Sequence, residues 1–98
     1  MMDSINSNDF YTKETSTPVP LIDVRETDEF AEAHIPGAVN LPLSTLNTNF
    51  SQLDHDTHYY IICRSGRRSQ LASQFLSANG YSVTNVEGGM LAWKGSVA

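Results

Sequence analysis

His58-Tyr59-Tyr60-Ile61-Ile62-Cys63-Arg64-Ser65-Gly66-Arg67-Arg68-Ser69 decides how the rest of the chain is read. Its first five residues are aromatic or β-branched and predict a buried strand. Downstream, Leu71, Phe75 and Ala78 recur at helical spacing, and Asn79-Gly80 supplies the stop. The one cysteine therefore stands where a strand ends and a short polar loop turns into a helix. Unpaired amides at a helix start, and successive amides of a curled loop, converge on a common centre and favour negative charge there. A thiolate is such a charge. Arg64, Arg67 and Arg68 bring cations to the same loop, so the thiol is expected to ionise below its free value of about 8.5. A lowering of roughly two units corresponds to about 2.7 kcal/mol and makes the thiolate the majority form at neutral pH. A free cysteine can also be a small buried hydrophobe, but packing gives no reason for three arginines beside it.

The chain has 98 residues, of which 40% are hydrophobic and 17% charged. That is the composition of an ordinary soluble protein, read as one domain over residues 1–98. No apolar run reaches membrane-spanning length, and the start lacks the basic and apolar regions of a signal peptide, so no membrane partner is expected. One cysteine cannot form an intramolecular disulfide, which makes a reducing cytoplasm the expected location. The net charge of -5 argues against nucleic acid as a partner. Ten of the eleven acids lie at or before Asp56, whereas three of the six basic residues lie within Arg64–Arg68. Between Thr57 and Val86 there is no carboxylate. An acidic body thus carries one local positive patch, around the cysteine, suited to a small anion.

Taken in order, Ser4-Ile5 reads as a short first strand, and Ser7 as the cap of a one- or two-turn helix. Pro18 and Pro20 mark an extended entry to a strand within Val19–Val24. Asp23, a carboxylate near that strand's end, is expected to bond backbone amides or an arginine, Arg25 or one from the loop. Thr27 caps a helix with Asp28 and Glu29 in its first turn, where they suit the macrodipole. Phe30 and Ala33 form its inner face, His34 lies in its last turn, and Pro36-Gly37 ends it. Ala38–Leu41 is another short strand, Leu43–Leu46 begins a brief helix, and residues 50–57 form a polar connection anchored by Leu53. Tyr81–Val86 is the last strand, and Gly88-Gly89 turns into a terminal helical segment that buries Met90 and Trp93. Strands alternating with helices at these spacings indicate a mainly parallel α/β sheet, whose ligands bind beyond the carboxyl ends of the strands. Cys63 falls at one such end and Asp23 at another. His34, His55 and His58 have no ligand-like spacing with Cys63, so no metal is expected; His55 and His58 read as exposed loop residues.

Four segments in order resemble a known family: Asp23-Val24-Arg25-Glu26; His34-Ile35-Pro36-Gly37-Ala38-Val39-Asn40 with Pro42; Cys63–Ser69; and Glu87-Gly88-Gly89-Met90 with Ala92-Trp93. Together they cover the chain from about Leu21 to Trp93, and they resemble the single-domain rhodanese-like proteins of the thiosulfate sulfurtransferase family. The resemblance implies a three-layer α/β/α sandwich around a five-stranded, mainly parallel sheet. It makes Cys63 a nucleophile that carries sulfane sulfur as a persulfide, in a loop of the form Cys-x-x-Gly-x-Arg that Gly66 and Arg68 satisfy. Arg64 matches a position often basic in members active on thiosulfate, and Asp23 and Arg25 resemble the family's structural pair near the site. His34 and Trp93 resemble packing residues of their motifs.

The chemistry then needs no cofactor. A Cys63 thiolate attacks the outer sulfur of a small anionic donor such as thiosulfate, and sulfite leaves. Arg64, Ser65, Gly66, Arg67, Arg68 and Ser69 would bind the donor and hold the persulfide anion through loop amides and guanidinium groups. With no second cysteine, the acceptor comes from outside: cyanide, a thiol, or a sulfur-accepting protein. Cysteine phosphatases also use an amide-lined loop, but they place an arginine six positions after the cysteine, where this chain has Ser69. A second alternative is a non-catalytic or low-turnover module of the same fold that carries persulfide, senses oxidants or binds a partner.

Overall fold

Ile61 and Ile62 are neighbours in sequence and both fully buried, which requires a strand covered on its two faces. In the computed structural model, which describes residues 2–98, they belong to β4 (His58–Ile62), the middle strand of five. The others are β1 (Met2–Asn6), β2 (Leu21–Asp23), β3 (Val39–Asn40) and β5 (Ser82–Glu87). Their order across the sheet is β1-β5-β4-β2-β3, and every pairing is parallel. The α/β sandwich with a five-stranded parallel sheet is therefore the observed fold.

Alternation along the strands divides the core in two. Ile22, Ile61, Cys63 and Val83 face one layer, with Ala72 and Leu76 of α4 (Arg67–Ala78) and Leu46 of α3 (Leu46–Asn49). Leu21, Ile62 and Val86 face the other, with Phe10 of α1 (Ser7–Ser16) and the half-buried Met90 and Trp93. The chain leaves β2 through α2 (Thr27–Glu32) toward β3, and leaves β4 through α4 toward β5. The two exits diverge, so the carboxyl ends of β2 and β4 bound a crevice. Asp23 pairs with Ile62 in register, which sets Val24 and Cys63 side by side there.

Several local expectations are corrected. α1 runs for ten residues, and its cap is Asn6, whose Oδ1 accepts the Asp9 N–H at 2.8 Å. Ser7 is instead buried, its hydroxyl donating to the Glu87 carbonyl at 2.6 Å. α2 is capped by Glu26, not Thr27, and stops at Glu32, so His34 lies beyond it and stacks on Phe30. Helical turns continue as 3-10 segments over Leu43–Thr45 and Phe50–Gln52, while Leu53 packs against the core as expected. In α4, Leu71 is exposed, and the buried face is Ser69, Ala72, Ser73 and Leu76, the first three of which are small and let the helix approach the sheet closely. His58 opens the strand expected over His58–Ile62 and is half-buried, not an exposed loop residue, with its ring nitrogens on the Ser82 and Thr84 hydroxyls at 2.5 and 2.6 Å.

Candidate functional site

Cys63 follows directly from the carboxyl end of β4, and its side chain is buried. The chain then curls back on it before α4 begins. Gly66, at φ +101, makes that turn, and its N–H donates to the Cys63 Sγ at 3.0 Å. A Cβ on Gly66 would lie 3.1 Å from the Gly88 amide nitrogen, so the loop is pressed against the end of β5. One helical turn on, the buried Ser69 hydroxyl lies 3.3 Å from Sγ. Burial pushes the thiol up, but the Ser69 hydroxyl and the amides of Ser69, Gly66 and Ser65 outweigh it, so the thiol sits below its ordinary value. The lowering thus comes from the curled backbone and one hydroxyl, with the arginines less directly engaged than their number suggests.

The three loop arginines differ. Arg64 and Arg67 are exposed and have no carboxylate partner among the described residues. Arg68 instead makes a two-pronged ion pair with Glu29 of α2, at 2.6 and 2.9 Å. That pairing drops the Glu29 carboxyl to about 2, chiefly through the Arg68 hydrogen bonds and against the opposing effect of burial. The first-turn position of Glu29 accounts for its capping role but gives no sign of a partner 39 residues away.

The floor of the loop comes from the other end of the chain. Gly88 and Gly89, with φ of +81 and +53, lead into a 3-10 turn over Gly89–Ala92. There the Met90 N–H donates to the Cys63 carbonyl at 2.8 Å and the Leu91 N–H to the Arg64 carbonyl at 2.9 Å. Sequence reasoning placed Gly88-Gly89 only as a turn, and its contact with the cysteine loop is new. The paired glycines were the available signal, because consecutive positive φ angles permit a close backbone approach.

Asp23 and Arg25 form the wall on the β2 side. The fully buried Asp23 carboxylate accepts from the Arg25 Nε at 3.1 Å and from a terminal nitrogen at 2.8 Å, and the Arg25 backbone N–H adds a bond at 3.0 Å. Arg25 also donates to the Ala33 carbonyl at 2.6 Å, and Asn40 clamps the carbonyls of Asp23 and Arg25. This pair shapes the crevice through the Arg25 Nε and one terminal nitrogen, while the other terminal nitrogen makes no hydrogen bond among the described residues. Beside it, Arg25, Glu29, Glu32, Arg64, Met90 and Leu91 line an open cleft of about 350 Å³. Among the described residues there is no cluster of histidine, cysteine and acidic side chains able to hold a metal. No helix there is long and apolar enough to cross a membrane.

Comparison with known proteins agrees with this fold. The model of the rhodanese-like domain matches residues 7–96. The chain is 47% identical over 75 residues to the protein YtwF of Bacillus subtilis, covering 76% of this chain and 73% of that one. It is 36% identical over 95 residues to a sulfurtransferase of Allochromatium vinosum, covering 95% of this chain and 89% of that one. The crystal structure of a rhodanese-like domain protein from Staphylococcus aureus superposes with a TM-score of 0.88 at 38% identity, over 95% of this chain and 92% of that one.

Proposed function

The chain belongs to the rhodanese-like sulfurtransferase family, and from that premise we propose that Cys63 carries sulfane sulfur as a persulfide between a small anionic donor, such as thiosulfate, and a thiophilic acceptor. The supporting observation is the thiol held by the Gly66 amide and the Ser69 hydroxyl, with acidity above that of a free cysteine. In the first half-reaction the Cys63 thiolate attacks the outer sulfur of thiosulfate. A new S–S bond forms, the donor's S–S bond breaks, and sulfite departs with the bonding pair. The persulfide's outer sulfur then carries the negative charge, and the amides of the same loop are the groups that stabilise it. Arg64 and Arg67, exposed at the rim, attract the dianion, and Arg68 acts from its ion pair with Glu29. In the second half-reaction a thiol or cyanide attacks the terminal sulfur and returns Cys63 as thiolate. A reducing compartment such as the cytoplasm would supply that thiol and keep Cys63 reduced.

The test is the intact mass of the protein after incubation with thiosulfate and removal of excess donor. Gain of one sulfur atom, absent in Cys63→Ser, is the expected result. An unchanged mass, or the same gain in the serine variant, refutes the assignment. A second reading, persulfide carriage or sensing with negligible thiosulfate turnover, is favoured by the depth of Cys63, whose residue surface is only 1% exposed. Steady-state thiosulfate:cyanide kinetics separate the two, since a carrier forms the persulfide yet turns over negligibly.

A further inference from the structure

Arg68 stands in the cysteine loop, yet both terminal nitrogens of its guanidinium are occupied by Glu29. Glu29 is itself fixed before Arg68 reaches it, because its Oε1 accepts the Glu26 N–H at 3.0 Å in the capping box of α2. α2 buries none of its residues, so packing does not explain a carboxylate held so firmly at this point. With its carboxyl at about 2, Glu29 stays charged wherever a thiol titrates. We infer that Glu29 is a positioning residue for the Cys63 site: it holds the Arg68 guanidinium at the flank of the loop and cancels its charge.

Four elements bring charged groups to this end of the sheet. The cysteine loop and α4 bring Arg64, Arg67 and Arg68; β2 and its exit bring the Asp23–Arg25 pair; α2 brings Glu26 and Glu29; and the end of β5 brings Glu87. With both ion pairs closed, the uncompensated cations of the loop are Arg64 and Arg67 rather than all three. For the sulfur-transfer reading, on which its catalytic consequence rests, this matters because thiolate nucleophilicity falls as thiol acidity rises. The best attacking thiol has a pKa near the ambient pH. Neutralising one arginine limits how far Cys63 is acidified and so preserves its nucleophilicity toward the donor.

Glu29→Gln removes the charge while keeping the capping box, which takes glutamine as well as glutamate; its one amide oxygen keeps one of the two bonds from Arg68. The experiment is the pH dependence of Cys63 alkylation by iodoacetamide, a neutral probe, in the parent, Glu29→Gln, Arg68→Gln and the double variant. The midpoint is expected to move down by about half a unit or more in Glu29→Gln and up by a similar amount in Arg68→Gln. In the double variant it returns to the parent value. A Glu29→Gln midpoint at or above the parent's overturns the inference, as does a double variant that keeps a single variant's displacement. So does a lowered urea midpoint with no displacement, which is what a purely structural role for Glu29 produces. Failure of sulfur transfer shows itself separately, as an ordinary parent thiol and no thiosulfate adduct, whatever the relative shifts.

Discussion

Replacing Gly89 by alanine tests how the loop around Cys63 is held. A Cβ at this position would lie 2.3 Å from the Cys63 carbonyl oxygen and 2.7 Å from that of Arg64. The Cys63–Arg64 peptide would have to retreat by roughly 1 Å, more than the hydrogen bonds from Met90 and Leu91 tolerate. Losing both costs about 2 kcal/mol, and a non-glycine residue at φ +53 adds about 1–2 kcal/mol. The expected loss of about 3–4 kcal/mol is a large part of the roughly 5–15 kcal/mol that holds a small protein folded. Urea unfolding measures it as a fall in midpoint at unchanged slope. Cys63 alkylation at neutral pH should slow in parallel, because the Gly66 amide and Ser69 hydroxyl lose their aim. Gly37→Ala is the control: its φ is +88 but its Cβ meets nothing within 4 Å, so it carries the backbone cost alone. Gly89→Ala within about 1 kcal/mol of Gly37→Ala, with unaltered alkylation, refutes the reasoning.

Asp23→Ala leaves the Arg25 guanidinium buried without its carboxylate and should cost about 3–5 kcal/mol in urea unfolding. Arg64→Ala should raise the KM for thiosulfate about tenfold in steady-state assays, by removing a charge-assisted contact from an exposed cation. Glu29 also gives stability a pH dependence. Its carboxyl is lowered from 4.5 to about 2, so its contribution is fully present above 4.5 and is lost as pH falls toward 2. Urea midpoints measured across that window should fall more steeply for the parent than for Glu29→Gln.

The strand and loop around Cys63 were legible because each signal there agrees with the next: β-branched residues, a cysteine, a glycine turn, a helix and its Asn79-Gly80 stop. The four motif segments extended that reading to the whole α/β/α architecture. What was hidden has physical causes. The length of α1 escaped notice because it is mostly polar and buries little beyond Phe10 and Ser7. The inner face of α4 is not legible in the sequence because Ser69 and Ser73, fully buried, do not count in a hydrophobic pattern, whereas the exposed Leu71 does. The Glu29–Arg68 pair and the Gly89 contact join residues far apart in the chain, and neither spacing nor composition carries such information.

The central claim is that folded backbone and one hydroxyl make a buried thiol more acidic than a free cysteine. Titrating the thiolate absorbance of Cys63 in the parent and in Ser69→Ala tests it most directly. A parent midpoint clearly below the free-cysteine value of about 8.5, moved upward in Ser69→Ala, is the predicted result. A parent midpoint at or above that value, or no displacement on losing the hydroxyl, contradicts it.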